Sequence, residues 1–175
     1  MCCPSRSSIL TGQYVHNHHA IDSSIAGGCS SLGWQAGPEK HSVSTYLKDL
    51  GYTTYYSGKY LNRYGDSSVG GPAHVPPGWD EWLGLLGNAA YYDYTLSANG
   101  KPEKHGDTYS TDYLTDVLVS TAEVMMEMVN ISCTVLFSLI RTSFSLLLIA
   151  CCCSNIVVVV VAVFISFRIV TLWIL

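Results

Sequence analysis

From Met128 to Leu175 the sequence has no Asp, Glu, Lys, Gly or Pro, and its only charges there are Arg141 and Arg168. A stretch without acids, Gly or Pro lacks much of what ordinary solvated loops are made of. Of those 48 residues, 35 are hydrophobic, so the 49% hydrophobic content of the 175-residue chain is an average over two unlike parts. Basic charge is also scarce: 7 Lys and Arg face 13 Asp and Glu over 1–127, a net −6. Nucleic-acid binding needs clustered cations to displace phosphate counterions, so no nucleic acid is expected as a partner. The seven cysteines contain no CxxC pair, which argues against a zinc ribbon or a thioredoxin-like site. No basic and then apolar leader follows Met1, and no signal peptide is read there.

What is present lies before residue 118. Residues 4–12 read as a short helix, with Pro4 at its first position and Gly12 as its stop. Val43, Tyr46, Leu47 and Leu50 recur at helical spacing, with Ser42 as N-cap and Gly51 beyond the end. The following 52–57 run is aromatic and β-branched, hence a strand, and Gly58-Lys59 closes it. The 91–96 run leads to Asn99-Gly100, the pair preferred in a type I′ hairpin turn. Tyr113, Leu114, Val117 and Leu118 share one face of a helix beginning near Thr111. Helix, turn and strand in this order indicate an α/β fold.

Two longer patterns carry chemistry. Cys2-Cys3-Pro4-Ser5-Arg6 with Leu10-Thr11-Gly12 resembles the first signature of the type I sulfatases, and Gly51 to Leu61 resembles their second, about fifty residues on. Within that family the stretches Tyr14 to His19, Gly58 to Asn62, His74-Val75-Pro76, Lys104-His105-Gly106 and Asp112 to Asp116 are similar to the N-acetylglucosamine-6-sulfatases, with the heparan 6-O-endosulfatases next. The resemblance covers roughly 2–118. It implies an α/β alkaline-phosphatase-like sulfatase fold, here incomplete, and hydrolysis of a 6-O-sulfate ester on glucosamine of heparan or keratan sulfate.

By that resemblance Cys2 is oxidised to formylglycine by the formylglycine-generating enzyme, and its hydrated aldehyde attacks the sulfate sulfur, a covalent route that divides a hard displacement into two steps. Arg6 supports that group, Lys59 supplies a compact positive charge to a sulfate oxygen, and His105 is a candidate for lining the sulfate pocket. The family uses Ca2+, a hard cation taking oxygen ligands. Its Asp-Asp pair upstream and Asp-Asn pair downstream have no counterpart in this sequence, which leaves converted Cys2 as the one metal ligand and an inactive fragment as the expectation. Leu61 stands where many arylsulfatases carry an active-site His, a departure shared with the glucosamine-6-sulfatase group.

Other residues have plainer readings. His16, His18 and His19 are more often a surface turn than a zinc site, and Trp79 and Trp82 more often core than a sugar platform. Asn130-Ile131-Ser132 is the one glycosylation sequon. The division expected is 1–118, a partial sulfatase domain, and 119–175, an apolar and helical tail. Its 142–167 stretch is long enough to span a bilayer, which would add membrane association. Two origins of the tail stand open, a membrane anchor or translation past an exon end; a tethered, non-catalytic glycan-binding remnant is the alternative of a different class. The full-length family member would be lysosomal or secreted.

Overall fold

The computed structural model describes residues 1–128, 145–150 and 157–163. Helices α1 (Cys2–Thr11), α2 (Val15–His18), α3 (Leu32–Ala36) and α4 (Val43–Asp49) come first. The strands are β1 (Thr53–Lys59), β2 (Glu81–Leu85), β3 (Thr95–Ala98) and β4 (Lys101–Lys104), followed by helices α5 (Tyr109–Asp112) and α6 (Leu114–Met128). Strands β5 (Ser145–Ala150) and β6 (Val157–Val163) complete one sheet of order β4-β3-β2-β1-β6-β5. β1 pairs in parallel with β2 and β6, and the outer pairings are antiparallel. The sheet is therefore mixed, as an α/β domain with a hairpin at its edge requires.

Strand periodicity divides the core. Tyr56 and Trp82, register partners, face one layer together with Cys3, Leu10, Trp34, Tyr60 and Tyr64. Leu83 and Leu85, odd where Trp82 is even, face the other layer with Leu96, and there Leu114 and Leu118 of α6 cover them. The Asn99-Gly100 turn has φ of 49° and 85°, the two positive values a type I′ turn demands, and so fixes the β3–β4 register.

The tail departs from expectation. Its described parts, 145–150 and 157–163, are strands rather than helix, and β6 lies beside β1 in register from Thr53↔Val157 to Gly58↔Ala162. Val157 to Val161 are β-branched, with a stiff χ1 that suits a pleated surface, and a short unbroken apolar run fits a central strand as well as a helix. Among the described residues no helix is long and apolar enough to cross a membrane. The remainder of the 142–167 stretch and the Asn130 sequon lie outside the described residues.

Candidate active site

Helix α1 begins at Cys2, two residues earlier than Pro4 suggests, so Pro4 falls within the first turn, where a missing N–H costs nothing. Gly12, at φ 67°, ends the helix in the left-handed conformation and donates its N–H to the Ser8 carbonyl at 2.8 Å. Arg6 lies one turn after Cys2 on the same face and is buried. Its Nη1 donates to the Lys59 carbonyl at 2.6 Å, and the Tyr56 hydroxyl donates to that same oxygen at 2.5 Å. The end of β1 is thus tied to α1 through a guanidinium across 53 residues of sequence.

These contacts bring three of the expected residues together. Lys59 is buried like Arg6, while Cys2 is half-exposed and its thiol is free. Burial alone would push the Cys2 thiol up, but hydrogen bonding and positive charge from Arg6 and Lys59 outweigh it and hold the thiol below its ordinary range. Lys59 is pushed down by burial and by Arg6, and only the Cys2 thiolate opposes this. Two buried cations facing one partly open position form a preorganised cradle for negative charge.

His105 does not join them. It follows β4 at the same end of the sheet, where Lys59, Leu85, Leu96 and Glu103 are successive register partners. Three strand spacings, about 14 Å, therefore separate it from Lys59. Its ring stacks on Tyr94 at 4.7 Å, with Asp112 and Glu103 carboxylates 3.6 and 3.5 Å from its two nitrogens. Carboxylates on both sides of the ring leave it poorly placed to receive an anion. The expected surface turn at His16 to His19 is only partly exposed: His18 is buried, accepts the Ala20 N–H at Nδ1, and places Nε2 3.0 Å from Ser8 Oγ. Both ring nitrogens are used, which leaves none for zinc. Trp82 is core, in line with the plainer reading, and Trp79 packs beside it.

Two features escaped the sequence reading. Cys3 and Cys29 form a disulfide, and the Ser30 hydroxyl beside it donates to the Asn62 carbonyl at 3.1 Å. The second is Glu39, buried among Trp34, Tyr60 and His74. The disulfide closes a loop of 26 residues, which the chain-entropy relation values at about 3.5 kcal/mol. Removing it in a Cys3→Ala, Cys29→Ala double variant is expected to lower Tm by about 10 °C, read by circular dichroism. An unchanged Tm would mean that the bond adds nothing to the native state.

Calcium finds no ready place. Among the described residues no group of three or more His, Cys, Asp or Glu side chains gathers to hold a metal ion. A thiol is a soft ligand, so Cys2 as it stands does not suit a hard cation. The residues present do not fit the ion.

A cationic cradle around a cysteine at the start of a helix, by the C-terminal ends of parallel strands, lies where open α/β sheets place their ligands. The family model named Sulfatase matches residues 1–126, and the chain belongs to the sulfatase family. It is 52% identical over 123 residues to human N-acetylglucosamine-6-sulfatase, covering 70% of this chain and 22% of that protein. A putative extracellular sulfatase Sulf-1 homologue of Caenorhabditis elegans is 46% identical over 120 residues, covering 69% of this chain and 16% of that one. A solved structure described as a complex with its substrate, D-glucosamine-2-N,6-O-disulfate, superposes with a TM-score of 0.52 at 25% identity, covering 73% of this chain and 22% of that chain. The chain thus spans about a fifth of the length of the N-acetylglucosamine-6-sulfatases it matches.

Proposed function

We propose that this chain carries the nucleophile-bearing part of a sulfuric ester hydrolase that removes 6-O-sulfate from glucosamine in heparan or keratan sulfate. The observation that carries the reading is the convergence of Cys2, Arg6 and Lys59 from two separate signatures onto one cradle. The 52% identity to N-acetylglucosamine-6-sulfatase and the sulfated glucosamine bound by the structural neighbour support the substrate class. Converted to hydrated formylglycine by the formylglycine-generating enzyme, position 2 would supply an oxygen nucleophile. Arg6 holds that position against the end of β1 and contributes charge to it. Lys59 directs its ammonium to a sulfate oxygen, where it offsets negative charge as the ester bond lengthens. His105 is assigned to the outer wall of the same sheet end, without contact to the reacting sulfate. The described residues do not gather to hold calcium. The Cys3–Cys29 disulfide suits an oxidising compartment and hence a lysosomal or secreted setting.

Coexpression of the chain with a formylglycine-generating enzyme tests the central assignment. A hydrazide-reactive aldehyde at position 2, absent from the Cys2→Ala variant, is the expected result in mass spectrometry. A thiol at Cys2 that stays fully alkylatable would overturn it.

A further inference from the structure

Behind the cradle lies a buried carboxylate that the chemistry above does not use. Glu39, 1% exposed, sits in the 3-10 turn Pro38–His41 and holds three donors. Its Oε1 accepts from Trp34 Nε1 at 3.1 Å and from the Tyr60 hydroxyl at 2.9 Å, and its Oε2 meets His74 Nε2 at 2.9 Å. A carboxylate is kept in a dry interior only when its lone pairs are satisfied, and a network so filled specifies one arrangement of the parts it joins. Here the parts are the two halves of the cradle. Tyr60 directly follows Lys59, whose carbonyl receives Arg6. Trp34, on the other side, meets His18 edge to face at 6.2 Å, and His18 bonds Ser8 of α1. Helix α1 also packs directly against the turn that carries Glu39.

We propose that Glu39 is a positioning residue: by bonding Tyr60 and Trp34 at once, it sets the end of β1 against α1 and thereby fixes the Arg6–Lys59 geometry. This rests on reading Arg6 and Lys59 as the sulfate-holding pair. The two ideas fail separately, because the test observes Arg6 itself and needs no turnover. Glu39→Leu removes the acceptor at similar size, leaving Trp34, the Tyr60 hydroxyl and His74 without it, whereas Glu39→Gln keeps an acceptor oxygen for Trp34 and Tyr60 while replacing the charge, and the oxygen that meets His74, by an amide NH2.

The experiment is nitrogen NMR of the Arg6 guanidinium in the full chain, alongside thermal melting of each variant. Hydrogen-bonded to a carbonyl, the guanidinium gives separate Nη resonances. Their loss in Glu39→Leu and their retention in Glu39→Gln is the expected result. A lowered Tm in Glu39→Leu with the Arg6 resonances still resolved would show a purely structural role and overturn the proposal. Should Glu39→Leu fail to fold, Tyr60→Phe decides, since it deletes one donor and keeps the ring: merged resonances support positioning, and an unchanged spectrum refutes it.

Discussion

Trp82→Ala is expected to cost about 4 kcal/mol of folding stability, within the range for truncating a buried Trp and comparable to the whole stability of a marginal domain. Trp82 is 1% exposed, and its indole stacks on Tyr56 at 4.4 Å while Tyr60 and Tyr64 meet it edge-on at 5.2 and 5.5 Å. Its Nε1 donates to the Tyr64 hydroxyl at 2.7 Å, and that hydroxyl in turn donates to the His74 carbonyl. Collapse into the vacated space is restricted, because the neighbours are rings already fixed by one another. Gly84 shows how full the space is: a Cβ there would lie 2.5 Å from the Trp82 indole nitrogen. Urea unfolding followed by circular dichroism checks the value. Trp82→Phe, which keeps the stacking and loses the N–H, should recover more than half of the loss, and Trp79→Ala, at a partly buried ring, should cost less than Trp82→Ala. Equal losses at Trp79 and Trp82 would contradict a core centred on Trp82.

Local signals were legible because each is satisfied within a few residues. The Asn99-Gly100 turn, the Gly12 stop and the α4 helix that ends before Gly51 rest on backbone conformations that the residue types themselves dictate. The cradle was legible for another reason: Cys2, Arg6 and Lys59 lie inside long signatures whose chemistry requires them to meet. Glu39 has no such marker. Its partners Tyr60 and His74 lie 21 and 35 residues away, and neither charge pattern nor periodicity records a contact of that range. The Cys3–Cys29 bond was hidden likewise, since seven cysteines leave many pairings open and only the fold brings the two sulfurs together. His105 carried the right chemistry for a sulfate pocket, and its position among Tyr94, Asp112 and Glu103 is a property of the β3–β4 hairpin rather than of the local sequence. For the tail, apolar length alone favours a helix only when the chain around it offers no sheet edge to extend, and β1 offered one.

Arg6→Met is expected to alter chemistry at Cys2 more than any other single change outside Cys2 itself. Burial acts to raise the Cys2 thiol, and what reverses the balance is hydrogen bonding and charge from Arg6, then from Lys59. Deleting the guanidinium removes the first of these stabilising influences on the thiolate and leaves the burial in place. The sign follows: the thiol rises, so the inflection in a plot of iodoacetamide reactivity against pH moves to higher pH. Alkylation at neutral pH becomes several-fold slower, because reactivity follows the thiolate fraction. Arg6→Lys keeps one charge but loses the planar fork, and a single ammonium cannot reproduce the reach to both the Lys59 carbonyl and the thiol, so it should fall between. Lys59 should rise as well, its ammonium becoming easier to keep once the neighbouring cation is gone, since Arg6 is one of the groups pushing it down. General loosening would also carry both groups upward toward their ordinary values, so an unchanged Tm and circular dichroism spectrum in Arg6→Met are what assign the shifts to loss of the specific cation. In a complete enzyme built around this chain, the same substitution is expected to lower kcat by about 10²- to 10³-fold, the usual cost of removing one preorganised group that stabilises a developing charge. An unshifted Cys2 reactivity profile in Arg6→Met would show that the guanidinium serves only to pin the end of β1.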